Sequence, residues 1–82
     1  MEIEKIKKVI ELDDKRHIYS KEYDDLYECK VGLGFFTTED YSYEYSSKLN
    51  EKYRKELDIL KGKFLAALSK KIDEINKELE EL

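Results

Sequence analysis

With 82 residues, the chain has the length of one small domain, read as residues 1–82, and a domain this size buries only about 60–65 % of the surface its unfolded form exposes. It is 44 % charged and 40 % hydrophobic, with no proline, no tryptophan and a net charge of −4, which suits a thin core and is too mixed in sign for simple disorder. One cysteine excludes an intramolecular disulfide and any multi-cysteine metal centre, and the longest apolar run, residues 64–68, is far short of the roughly 20 that cross a bilayer.

The opening residues carry charges throughout and lack the apolar stretch of a secretion signal, so a soluble cytoplasmic protein is expected. Over residues 2 to about 14, Ile3, Ile6, Val9 and Ile10 share one face of an amphipathic helix, with Glu4, Lys7, Lys8 and Glu11 outside it.

The middle of the chain, residues 17–47, reads in two ways. Tyr27, Cys29, Val31, Leu33 and Phe35 alternate with Glu28, Lys30, Gly32 and Gly34, the period of a half-buried strand. Tyr41, Tyr43 and Tyr45 alternate with Ser42, Glu44 and Ser46 in the same manner. The two runs predict a hairpin joined through residues 37–40, with residues 18–21 as a possible third strand. The competing reading is helical. Ser20 would cap a helix carrying Tyr23, Leu26, Tyr27 and Val31 that stops at Gly32, and Thr37-x-x-Asp40 would cap a last helix starting near Glu39.

The strongest periodic signal lies at the C-terminal side. Leu49, Tyr53, Leu57, Leu60, Phe64, Leu68, Ile72, Ile75, Leu79 and Leu82 recur with a mean step of about 3.67 residues, the spacing of a nearly straight helix. Together these elements predict an α+β fold: an N-terminal amphipathic helix, a small antiparallel β-hairpin or three-stranded meander, and a long C-terminal helix. The alternative is all-α with three helices.

A C-terminal helix of some 35 residues is about 50 Å long, whereas a first helix of three turns covers only about 18–20 Å of it and a small sheet about 20 Å more. Ile72, Ile75, Leu79 and Leu82 are therefore expected to lack cover within the chain and to meet a second copy, forming a homodimer.

Side chains with the means for chemistry are sparse. Asp14-x-x-His17 has the spacing of a carboxylate-bridged metal site, but no second such pair exists, and a cationic residue at a helix end explains it better. Cys29 falls on the apolar face of the alternating run, where a buried structural thiol is expected. Gly32-Leu33-Gly34 lacks the third glycine of a dinucleotide-binding turn, since Thr37 stands at that place. The carboxylate pairs Asp13-Asp14, Asp24-Asp25 and Glu39-Asp40 are adjacent in sequence and point apart. No catalytic, cofactor-binding or metal-binding residue is assigned, and the chain is not expected to be an enzyme. With negative charge interleaving its only basic cluster outside the long helix (Lys5, Lys7, Lys8, Lys15, Arg16), direct nucleic-acid binding is not expected either.

Charge is uneven along the chain. Residues 1–47 hold 7 basic against 12 acidic side chains, and residues 48–82 hold 9 against 8. Within residues 22–45, Glu22, Asp24, Asp25, Glu28, Glu39, Asp40 and Glu44 face only Lys30, and Tyr41, Tyr43 and Tyr45 lie among them. Carboxylates spaced in this way present negative charge as a phosphate backbone does, and tyrosine adds rigid contact area favoured at interfaces. These ten residues are the predicted binding surface for another protein with a basic groove, such as one that handles nucleic acid. The combination resembles small acidic inhibitors of phages and mobile elements, anti-CRISPR proteins and DNA mimics among them, without matching a motif of any one family. The rival expectation is a structural or assembly protein that oligomerises through its long helix.

Overall fold

Nothing in residues 2–27 interrupts a helix: the stretch holds neither glycine nor proline, and charged side chains one turn apart bridge its outer side. Glu11 pairs with Lys15 at 3.7 Å, Asp13 with Arg16, and Asp25 with Lys21 at 3.0 Å. In the computed structural model, which describes residues 2–40 and 42–82, this stretch is one continuous helix, α1 (Glu2–Tyr27). It is followed by α2 (Tyr43–Lys52) and α3 (Arg54–Glu81).

The fold is therefore all-α, with three helices and no strand among the described residues, and the α+β expectation is corrected. Residues 18–21, offered as a third strand, lie inside α1. The alternation from Tyr27 to Phe35 begins on the last residue of α1 and continues into an irregular loop. Tyr43 and Tyr45 open α2, and Tyr41 lies outside the described residues. Alternation failed as a guide because a strand needs a neighbour for its backbone, and no second extended run is placed beside this one.

The three helices are not the three of the alternative reading. The helix drawn from Ser20 is the second half of α1, and Ser42, not Thr37, caps α2, its Oγ accepting from the Tyr45 N–H at 3.4 Å. The long C-terminal helix is interrupted at Tyr53 (φ −108°, ψ 25°). The hydrogen-bond ladder nevertheless crosses that point, from the Tyr53 N–H to the Leu49 carbonyl at 3.0 Å and from the Leu57 N–H to the Tyr53 carbonyl at 2.9 Å.

Helices α1 and α3 pack antiparallel. Arg16 donates to the Asn76 side chain at 3.2 Å, Lys71 lies over the Tyr19 ring at 5.1 Å, and Lys61 reaches the Cys29 sulfur at 3.2 Å. Each step forward in α1 is thus a step back in α3, with Leu12 level with Glu78 and Leu26 level with Phe64. The seam is built from Leu12, Tyr19, Tyr23 and Leu26 on α1 and from Leu65, Leu68, Ile72, Ile75 and Leu79 on α3, and Leu57, beyond the end of α1, is also half-buried. Leu60 and Phe64, read as part of the buried stripe, stay exposed, because at about 100° per residue they sit about 60–100° around α3 from the line through Leu65, Leu68, Ile72, Ile75 and Leu79.

This seam is thin. Leu12, Leu26 and Ile75 are the buried apolar side chains among the described residues, and none is sealed completely. The molecule measures 58 × 25 × 16 Å with a radius of gyration of 18.2 Å, against roughly 12 Å for a compact domain of this length.

Candidate protein-binding surface

The loop between α1 and α2 is held at its start and near its middle. At the first, α1 closes with two reversed hydrogen bonds: the Lys30 N–H donates to the Asp25 carbonyl at 2.8 Å and the Cys29 N–H to the Leu26 carbonyl at 3.3 Å. This closure puts one residue in the left-handed region, where glycine is usual. Here that residue is Cys29, at φ 62°. Cys29 is exposed, so the buried thiol expected from its apolar-face position is also corrected.

Further along, Asn50 of α2 grips the backbone of Phe35. The Phe35 N–H donates to Asn50 Oδ1 at 2.6 Å, and Asn50 Nδ2 donates to the Phe35 carbonyl at 3.1 Å. The side-chain amide supplies the pair of bonds that a neighbouring strand would supply, so an alternating segment is held with no sheet present. Gly34 makes the approach possible, because a Cβ there would sit 2.8 Å from Asn50 Oδ1. The Phe35 ring completes the attachment against Tyr53, with centroids 5.9 Å apart at 54°.

With Phe35 fixed, its neighbour Phe36 stands 87 % exposed. It lines an open depression of about 330 Å³ with Thr37, Thr38 and Tyr45. Tyr43, in the first turn of α2, is 82 % exposed. Large aromatic side chains exposed to solvent carry much contact area with few rotatable bonds, the composition of an interface hot spot.

The predicted acidic residues fall on two elements. Glu22, Asp24 and Asp25 occupy the last turns of α1 and Glu28 the turn after it, close to the stacked rings of Tyr23 and Tyr27 (centroids 6.1 Å apart, 9°). No basic residue lies in that last turn, so carboxylates sit at the negative end of the helix dipole. Lys21 on Asp25 and Lys30 on Glu28, at 3.0 and 3.1 Å, offset part of the charge. Glu39 and Asp40 form the turn before α2 and Glu44 lies in its first turn, all exposed. Phe35, Phe36 and Asn50 were not among the predicted site residues; the available signal was a glycine directly before two phenylalanines.

Of the residues predicted to meet a second copy, Ile75 is buried in the seam, Ile72 and Leu79 are half-buried there, and Leu82 lies beside Lys8 and Leu12. The expectation that they lacked cover assumed a first helix of three turns, whereas α1 has 26 residues. His17 turns to its own helix, its Nδ1 hydrogen-bonding with the Asp13 carbonyl oxygen at 2.9 Å.

Among the described residues no helix is long and apolar enough to cross a membrane. No protein-family model matches the chain, and no curated protein or solved structure is significantly similar to it.

Proposed function

We propose that the protein is a non-enzymatic interaction module that engages another protein carrying a basic groove, acting in the manner of a small acidic inhibitor. The observation that supports this most directly is Phe36, held out in solvent by the Asn50 grip on Phe35. With the backbone next to it already fixed, this aromatic residue has less freedom to lose on binding and serves as an anchor. Glu39, Asp40 and Glu44 follow it in the turn before α2 and in the first turn of α2, and Glu22, Asp24, Asp25 and Glu28 add negative charge at the end of α1. Such a field steers a positively charged partner and makes the association salt-dependent. The basic groove of a nucleic-acid-handling protein fits this chemistry.

Affinity capture with the wild-type protein, with Phe36→Ser and with the charge-reversed variant at Asp24, Asp25, Glu39 and Asp40 tests the reading. The expected result is a basic partner that is retained by the wild-type protein at low salt, released as salt rises, and lost from both variants. The same proteins captured by all three would overturn it.

A second reading, an assembly protein, rests on the extended shape. The chain exposes 7216 Å², against roughly 5200 Å² for a compact monomer of its mass.

A further inference from the structure

Helices α2 and α3 meet at Tyr53 with nothing in their own sequence to part them. From Phe35 to Lys61 the chain holds neither glycine nor proline, the residues that most often kink a helix. Leu49, Tyr53, Leu57 and Leu60 keep the spacing of a single helix across the junction, and helical hydrogen bonds both enter and leave Tyr53. Its φ of −108° and ψ of 25° nevertheless depart from the helical values of about −63° and −42°. The path bends there. From the level of Leu12 and Glu78, α1 runs about 15 Å one way, and α3 with α2 in line would run about 53 Å the other. The molecule measures only 58 Å along its longest axis, so α2 turns aside.

The contacts that turn it come from the loop. Asn50, in the last turn of α2, holds the Phe35 backbone, and the Phe35 ring lies against the ring of Tyr53 at the junction itself. Among the described residues α2 is not packed against α1, which leaves the loop to set its direction. We propose that the junction is a switch with two positions. With Phe35 gripped, the path bends at Tyr53 and Phe36 is displayed. With Phe35 released, α2 and α3 join in one helix from Tyr43 to Glu81, and Phe36 loses the fixed backbone beside it.

The exchange is close to even, which is what a switch requires. Straightening gives up the two Asn50 bonds and the ring contact, and it restores regular helix at Tyr53. The consequence for binding rests on the role given to Phe36 above. A partner that takes Phe36 binds the bent form and holds it there, and straightening lets that partner go.

Electron–electron double resonance on the full chain, between spin labels at Glu44→Cys and Lys70→Cys in a Cys29→Gly background, tests the switch without any partner. In line the two positions are about 39 Å apart, and the bend brings them about 5 Å closer. The unaltered loop is expected to give mainly the shorter distance. Gly34→Ala, which breaks the grip from outside both helices, is expected to shift the ratio toward the longer distance about tenfold, as is Asn50→Ala, since two hydrogen bonds are lost in each case. Gly32→Ala is expected to change nothing. Hydrogen exchange gives a second readout: in the two released variants the amides of residues 53–56 are expected to exchange more slowly. The longer distance with the loop intact, or one distribution shared by all variants, would overturn the switch. So would a broad distribution with faster exchange at residues 53–56, because the loop would then be supporting α2 and not bending it. Straightening in Gly34→Ala with undiminished capture of a partner would overturn the control of Phe36, whereas failure of the unaltered protein to capture any partner counts against the role of Phe36 and not against the two positions.

Discussion

Asn50 holds Phe35 by both of its backbone polar groups, at 2.6 Å from the N–H and 3.1 Å from the carbonyl. One helix side chain thereby decides the path of a loop 15 residues away in sequence and the direction of the aromatic residue that follows. A hydrogen bond contributes about 0.5–1.5 kcal/mol net, so Asn50→Ala is expected to cost about 1–2 kcal/mol. Gly34→Ala is expected to give a similar loss by another route, since the new methyl group meets Asn50 Oδ1. Gly32→Ala, with nothing within 4 Å of the added carbon, is expected to be neutral or slightly stabilising. Hydrogen exchange checks the mechanism: the first two variants are expected to speed exchange in residues 32–38 and to leave the α1–α3 seam protected. Equal effects of the two glycine substitutions would refute the clamp.

The end of α1 is strained at a single residue. A non-glycine side chain in the left-handed region costs roughly 1 kcal/mol or more, and Cys29 occupies it at φ 62°. Cys29→Gly is expected to raise stability by about 0.5–1 kcal/mol in urea unfolding, despite loss of the Lys61 contact. Cys29→Ala, which keeps the backbone strain, is expected not to. If alanine stabilises as much as glycine, the gain has nothing to do with φ.

So few side chains are buried that the seam depends on individual residues. Ile75→Ala is expected to cost about 2–4 kcal/mol, a large share of the total for a domain this small. Ile59→Ala, on an exposed stretch of the same helix, is expected to change stability by less than about 0.5 kcal/mol. Thermal unfolding followed by circular dichroism separates them, and comparable losses at both sites would show that the seam is not where the stability resides.

Asp24 separates stability from binding. Its carboxylate lies in the last turns of α1, at the negative end of the helix dipole, so Asp24→Lys is expected to stabilise the fold by about 0.3–1 kcal/mol at low salt. The same change removes negative charge from the proposed binding surface and is expected to weaken capture of a basic partner. Unfolding and binding measured on one preparation should therefore move in opposite directions. Stabilisation with undiminished binding would remove Asp24 from the surface.

Helix α3 was legible because its signal is local: a run of apolar residues at helical spacing, with charged side chains between them, describes a helix wherever it packs. The same holds for the start of α1, whose apolar spacing marks a helix without saying what covers it. Three features depended on partners distant in sequence. Helix α1 continues past residue 14 and through Ser20 because α3 offers an apolar surface to cover, and the cap signal at Ser20 yields when tertiary burial outweighs it. The alternation through Phe35 marks a backbone in need of an edge partner, and only folding brings Asn50 to it in place of a strand. The side of α3 that meets α1 determines which of its apolar residues are covered, so Leu65 and Leu68 enter the seam while Leu60 and Phe64, about 60–100° around the helix, remain outside. Periodicity reports the conformation of neighbours along the chain; burial reports where two segments meet, and that meeting depends on lengths and register that no single segment carries.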